Sequence, residues 1–455
     1  MCEVRAESYS GCYGGETENI ADSIIVNVVC SSYPLSLNKK QIIFLVDESG
    51  SMIDTIPAIK NSLFATRNAI LKLLEHDLNI LDEKSKDDIF TKACNITLIT
   101  FSNDAVCRFE SQNTTDSFST AVNKIEASCS TNMGAGLLMA FAKKIPDCAT
   151  WIILLTDGNS NKGSYQTVSG FTDLKSQLPQ HTKIIPLGYT KQPDPDILSI
   201  LGNMIYIESE ESIPEIFGNI TGEIVTCYGL DAKITLPSLP QPTVNPNDII
   251  IVSDEKQSPS RDIIGTSNIG CLFNERRFIY GHLPWGNNMK SDINLYTGLT
   301  GTLSYYNITT KSEINIEFKI ERGQKIPENI FESYFEASKS RILLGYYHNK
   351  KEGNIKQYIK LIQKKLLDWK HPASTQHKEE ILRIFSNNPS DISTIGIATS
   401  ARTQTNYTSV SRHTTTLQRQ ISESVQTEYN NIHSLPDLLP LPPLPPILYS
   451  FSLSI

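Results

Sequence analysis

No other stretch limits the fold of this chain as tightly as residues 41–52. Gln41 leads into an unbroken apolar run, Ile42 to Val46, which stops abruptly at Asp47, Glu48, Ser49, Gly50 and Ser51. A run this short and this rich in β-branched residues reads as a strand buried on both faces, the kind found in a parallel sheet. Asp47 supplies a carboxylate, Ser49 and Ser51 supply hydroxyls, and Gly50 lets the backbone turn between them. A buried strand that delivers small oxygen-bearing side chains at its C-terminal end builds a ligand site at the carboxyl edge of a sheet. Oxygen donors without nitrogen or sulfur suit a hard cation, Mg²⁺ above all.

The arrangement recurs downstream. Thr150 to Thr156 is a second buried strand, ending in Asp157, Gly158 and Asn159, and Ser130, Thr131 and Asn132 open a glycine-bearing helix from Met133 to Lys144. Strand and helix patterns alternate around them from residue 41 to about residue 225. An amphipathic helix runs from Ile53 to Leu74, and a strand from Asn95 to Ser102 has Ala105 to Phe109 as its hairpin partner. A short helix from Phe118 to Ala127, a strand over 183–189, a helix from Asp194 to Gly202, a strand from Met204 to Ile207 and a closing helix from Ile213 to Val225 complete the series. Such alternation implies an α/β domain built on a doubly wound, mostly parallel sheet. Asp47, Thr131 and Asp157 can then converge only at the carboxyl edge of that sheet.

Near Cys227 the pattern changes to short alternating runs separated by turns: Gly229–Leu236, Asp248–Ser253, Cys271–Leu283, Ile293–Leu299, Leu303–Ile308 and Ile314–Ile320. These read as an antiparallel β-sandwich, with the run over 23–31 as a spare strand able to join it. From Pro327 to about Phe385 the spacing turns helical, with Phe331–Tyr347 and Ile355–Trp369 as a helical hairpin and Lys378–Phe385 as a shorter helix. The expected organisation is an N-terminal arm with one strand (1–39), the α/β domain (40–226), the sandwich (227–322), a helical region (323–432) and a proline-rich tail (433–455) in polyproline II conformation.

Composition narrows the function. The net charge of −8 argues against a general nucleic-acid binder, which needs a basic face to replace phosphate counterions, and against a polybasic membrane patch. No window approaches the ~20 apolar residues of a membrane span, and the first fifteen residues lack the apolar core of a secretory signal. The expected location is the cytoplasm, and the sequons at Asn95, Asn113, Asn219, Asn307 and Asn406 are expected to stay unmodified. The nine cysteines are odd in number and show no C-x₂-C spacing, which argues against a disulfide framework or a zinc finger. The eight histidines form no H-E-x-x-H pair, and no Gly-x-Ser-x-Gly, Walker A or Gly-x-Gly-x-x-Gly stretch occurs. No catalytic residue and no nucleotide cofactor is expected.

Asp47-x-Ser49-x-Ser51, Thr131 and Asp157-Gly158, in this order, resemble the metal-ion-dependent adhesion site of the von Willebrand factor A domain. The resemblance covers roughly residues 40–225 and implies a Rossmann-like fold. It implies a Mg²⁺ ion, with Mn²⁺ as the alternative, held by Asp47, Ser49, Ser51, Thr131 and Asp157. An open coordination position would take a glutamate or aspartate from a partner protein. Read singly, the same residues have other uses: Asp47 and Asp157 as helix caps, Ser49 and Ser51 as turn formers, Thr131 as an N-cap. Glu48 reads as a solvent-facing acid, and Asn132 and Asn159 as loop fillers.

An A domain followed by a sandwich and helices is also similar to intracellular A-domain proteins of plants, amoebae and large DNA viruses, some of which carry a RING finger. This chain has no RING cysteine pattern. The resemblance therefore implies a metal-dependent adaptor or scaffold module. Alternatives are a structural or virion assembly protein with a vestigial metal site, a metal-dependent hydrolase, or an accessory subunit of a ubiquitin ligase. Pro440, Pro443 and Pro446 offer a contact for an SH3- or WW-type domain.

Overall fold

The computed structural model describes residues 2–9, 23–30, 37–74, 81–111, 117–128, 130–157, 160–189, 194–202, 204–207, 209–235, 266–273, 277–282 and 298–322. It further describes single positions between 335 and 350, then residues 353–367, 372–387 and 416–433.

Two strands precede the predicted sheet, β1 (Cys2–Tyr9) and β2 (Ser23–Cys30). The α/β unit follows as β3 (Lys40–Asp47), α1 (Ile56–Leu73), α2 (Glu83–Ala93), β4 (Asn95–Phe101), β5 (Ala105–Glu110), α3 (Phe118–Asn123), α4 (Met133–Ala142), β6 (Ala149–Thr156), α5 (Val168–Ser176), β7 (Thr182–Tyr189), α6 (Pro195–Leu201), β8 (Ile205–Ile207) and α7 (Ile213–Thr226). Its sheet has the order β5-β4-β3-β6-β7-β8 and is parallel except for β5. Every residue of β3 is buried, as the unbroken apolar run requires. Ile42, Phe44 and Val46 face one core with α1, α3 and α7, while Ile43 and Leu45 face the other with α4, α5 and α6. The sheet is thus doubly wound, with helices on both faces.

Helices α2 and α5 have no counterpart among the predicted elements. Helix α2 is polar along most of its length and buries only Asp87 and Phe90. What holds it is the buried Arg67 of α1, which donates to Asp87 Oδ1 and Glu83 Oε2, both at 2.7 Å. A helix anchored by a buried guanidinium leaves no apolar periodicity to read.

Helix α7 passes without a break into β9 (Cys227–Thr235), the first of the later strands, followed by β10 (Thr266–Phe273), β11 (Arg277–His282), β12 (Thr300–Asn307) and β13 (Ser312–Arg322). Lys40 Nζ closes the end of α7 by donating to the carbonyls of Ile224 and Val225 at 2.8 and 2.6 Å. The second sheet has the order β10-β9-β12-β13-β1-β2-β11. All its pairs are antiparallel except the three-residue parallel pairing of β1 with β13. Edge strands β10 and β11 are separated by only three residues. A flat seven-stranded sheet would put its edges about 29 Å apart. Residues 273 and 277 can be no more than about 14 Å apart. The second sheet must therefore curl strongly enough to bring its edge strands β10 and β11 near each other.

The N-terminal arm differs from expectation, for it holds two strands rather than one. Residues 2–9 are polar at alternate positions, and only β2 and β13 on either side make them a strand. The predicted run Asp248–Ser253, most of Ile293–Leu299 and the proline-rich tail lie outside the described residues.

The remaining helices are α8 (Ile355–Leu367), α9 (Thr375–Asn387) and α10 (Thr416–His433). Helices α8 and α9 share a small core of Ile362, Leu366, Ile381 and Phe385 around Tyr346, whose ring stacks on Phe385 at 5.0 Å. Helix α10 leaves that group and packs against α1 and α7 of the first sheet. Glu428 accepts from Asn68 Nδ2 at 3.1 Å and pairs with Lys72, and Gln418 donates to Thr226 Oγ1 at 2.7 Å. Gly218 and Gly222, one turn apart on α7, make this approach possible. A Cβ on Gly218 would lie 2.9 Å from the Ser422 backbone, and one on Gly222 3.1 Å from the Gln418 backbone.

Gly218→Val should therefore lift α10 off α7. The clash should cost about 1–3 kcal/mol in urea denaturation, more than the roughly 0.5 kcal/mol gained by removing a helical glycine. The same variant should expose α10 to limited proteolysis, and unchanged protease resistance would show that the helix does not rest on this glycine.

Candidate metal centre

The chain runs from β3 outward to β4 and β5 on one side, then returns to β6 and continues to β7 and β8 on the other. Strands β3 and β6 flank this reversal, and a crevice forms beyond the carboxyl ends of strands at such a point. Their register pairs Val46 with Leu155, so Asp47 stands beside Thr156 and one residue from Asp157. The two carboxylates expected to share a site are thus placed by sheet register alone.

Asp47 is fully buried. Its Oδ1 accepts the Ser49 backbone N–H at 2.8 Å, and its Oδ2 accepts the Thr156 hydroxyl at 2.6 Å. The first bond folds the chain back into a tight turn that brings Ser49 Oγ within 3.2 Å of Ser51 Oγ. Ser51, exposed at the rim, donates to Asp157 Oδ1 at 3.0 Å. Asp47, Ser49, Ser51 and Asp157 therefore form one connected cluster that is dry at its floor and open at its mouth.

Thr131 is buried on the neighbouring loop. Asn132 N–H donates to the Ser102 carbonyl at 2.7 Å and Ser128 N–H to the Glu48 carbonyl at 2.5 Å, which fixes this loop to the ends of β4 and β3. Asn161 clamps Thr131 from the other side, its Oδ1 accepting the Thr131 N–H and its own N–H donating to the Thr131 carbonyl, at 2.9 and 3.0 Å. Among the described residues no hydrogen bond joins the Thr131 hydroxyl to the other four.

The capping alternatives are answered directly. Helix α1 is preceded by Thr55, α4 by Asn132 and α5 by Thr167, so none of Asp47, Ser49, Thr131 and Asp157 caps a described helix through its side chain. Asn132 is more than loop filling. Its Oδ1 accepts from Ala135 N–H and its Nδ2 donates to the Asn103 carbonyl, and Gly163, at φ +86°, lies where any Cβ would strike it. Gly158 and Asn159 lie outside the described residues.

Glu48 corrects the expectation of a solvent-facing acid. It is buried, pairs with Arg108 Nη2 at 2.9 Å and accepts from the Glu126 N–H at 3.3 Å. Arg108 also donates to Thr100 Oγ1 at 2.9 Å. Glu48 therefore braces the Asp47 turn against β5 and the 124–128 loop. Neither Glu48 with Arg108 nor Thr156 carries a motif, and only strand register puts them here.

The electrostatics of the cluster favour a bound cation. Burial pushes the Asp47 carboxyl up to about 6, against the opposing bonds from Thr156 and Ser49 and with a further push from Asp157. Burial also raises Asp157, in spite of its bond from Ser51. Among the described residues no Lys, Arg or His pairs with either carboxylate. Two desolvated acids and the Ser49 and Ser51 hydroxyls, with Thr131 on the adjoining loop, fit a hard divalent ion that keeps several of its own waters.

Residues 41–217 match the family model described as the von Willebrand factor type A domain. The chain thus carries such a domain within a longer polypeptide. Among solved structures it is similar to a von Willebrand factor type A protein from Catenulispora acidiphila, at 14% identity and TM-score 0.49, over 78% of this chain and 82% of that one. It is similar to the human COPII-coat protein Sec24c at 11% identity and TM-score 0.47, over 81% of this chain and 58% of that one. It is also similar to proximal thread matrix protein 1 from the mussel byssus, a structure with a zinc-occupied MIDAS motif, at 15% identity and TM-score 0.30, over 43% and 48% of the two chains. No curated protein matches the chain at a significant level.

Asp47 sets a pH dependence. Its carboxyl titrates near 6 in the fold, against an ordinary 3.8. In chelator, its contribution to stability should be intact below pH 4 and lost as pH rises through 6, a loss of about 2–3 kcal/mol. Asp47→Asn should remove that decline, matching the parent at pH 4 and exceeding it at pH 7.5 in urea denaturation.

Proposed function

We propose that this chain is a protein-binding module whose A domain holds Mg²⁺, or Mn²⁺, through Asp47, Ser49, Ser51, Thr131 and Asp157. The observation that carries the reading is the convergence of Asp47, Ser49, Ser51 and Asp157 at the switch point of the sheet, with none of their side chains capping a described helix. In this reading Ser49, Ser51 and Thr131 present hydroxyl oxygens to the ion, and Asp47 and Asp157 act directly or through water. The ion supplies a Lewis-acidic position that an aspartate or glutamate of a partner protein fills. Ser51 at the open rim leaves room for that side chain, and the buried floor strengthens the charge interaction by excluding water.

Von Willebrand factor type A domains are interaction modules more often than enzymes. Residues 40–226 form the metal-binding unit. Residues 227–322, together with the N-terminal strands, form a platform beside it, with 323–432 as a helical region and 433–455 as a proline-rich tail. The chain would act as an adaptor or scaffold.

Asp47→Ala should abolish divalent-ion binding in isothermal titration while leaving the circular dichroism spectrum unchanged. Proteins captured by the wild-type chain in Mg²⁺ should be released by EDTA and absent with Asp157→Ala. Recovery of the same proteins with and without EDTA would sink the metal-bridge reading.

A further inference from the structure

We infer that the outer face of α8 is a docking surface for an anionic lipid bilayer. The chain as a whole is acidic, but its charge is not spread evenly. Residues 350–370 contain seven lysines and two acids, in a chain of net charge −8. Helix α8 itself holds Lys356, Lys360, Lys364 and Lys365 and no acid.

The geometry separates two faces of α8. Ile362 and Leu366 point into the small core with Tyr346, Ile381 and Phe385, and the Tyr358 hydroxyl donates to the Ile342 carbonyl at 2.8 Å. That face is fully used. At 3.6 residues per turn, Lys356, Leu367, Lys360 and Lys364 fall along one stripe on the opposite side, and Leu361 lies on its flank, about 60° beyond Lys364. Leu367 is 74% exposed and Leu361 52% exposed, and the three lysines beside them are exposed too.

Charge complementarity calls for an anionic partner, and the leucines choose among such partners. Nucleic acid takes up lysines but gains nothing from exposed leucines. A helix with lysines along its solvent face and leucines set among them suits the boundary between headgroups and acyl chains, where lysine stems lie along apolar surface and their ammonium groups reach the phosphates. Each lysine near an anionic leaflet strengthens binding roughly five-fold.

The test is co-sedimentation of the full chain with vesicles of phosphatidylcholine containing phosphatidylserine, beside vesicles of phosphatidylcholine alone. The chain should sediment with the first and not the second, and be released as salt is raised. The triple variant K356Q/K360Q/K364Q should weaken partition about a hundredfold, and L361S/L367S should weaken it at least five-fold with every lysine intact. EDTA should have no effect, which separates this surface from the metal site and makes its failure independent of that reading. No binding to phosphatidylserine vesicles, or binding indifferent to the leucine changes, would overturn the inference, the latter pointing to a purely electrostatic partner.

Discussion

The burial of Asp47 organises the first domain. Strand β3 is covered on both faces, so its last residue emerges from the core with a carboxylate that water does not reach. Two donors meet it, one from the turn that follows and one from the neighbouring strand. They do not offset desolvation fully, since the carboxyl remains well above its usual range. An ionised carboxylate in such a place is costly unless a cation is near. The turn of Ser49 and Ser51, the buried Glu48–Arg108 pair and the Asn161 clamp on Thr131 can all be understood as parts that keep oxygen atoms around this one charge.

The opposite end of the architecture is secured by a different device. Helices α1 and α7 cover one face of the sheet, and α10 returns from far along the chain to cover them in turn. The contact works because α7 carries glycines at two positions one turn apart, which lets the backbones approach as closely as side chains normally would. Polar side chains then fix the docking: Asn68 joins Arg67 of the α1–α2–α3 network to Glu428 of α10. Helix α1, which follows the serine turn, is thus joined to the last described helix by direct polar contacts.

Much of this was legible in residue order. The period-two and period-3.6 patterns, the apolar runs ending in acids and the change of texture at Cys227 place most strands and helices within a few residues of their observed ends. Of the residues proposed for the site, Asp47, Ser49, Ser51 and Asp157 follow two apolar runs that the sheet sets side by side, so their nearness was legible in residue order, whereas Thr131 sits on the adjoining loop, held by Asn161. Elements held by contacts with distant segments were not legible in this way. Helix α2 hangs on Arg67, strand β1 on its two neighbours, and α10 on a groove made by glycines of another helix. The polar contacts of α2 leave no periodic signature in the segment itself, while β1 alternates polar and apolar residues and α10 carries Leu417, Ile421 and Val425 at four-residue spacing, signals that do not say which distant element they pack against.

Sequence alone determined that a doubly buried strand would end in oxygen donors, because hydrophobic burial and strand geometry depend only on which residues are adjacent. It also determined that a second acid, Asp157, would end another such strand. Tertiary structure decided the rest. The β3–β6 register set Thr156 beside Asp47, a cross-strand pair turned Glu48 from an apparent surface acid into a brace, and packing left Leu361 and Leu367 outside the core. These outcomes depend on distances between segments far apart in the chain, which local pattern does not encode.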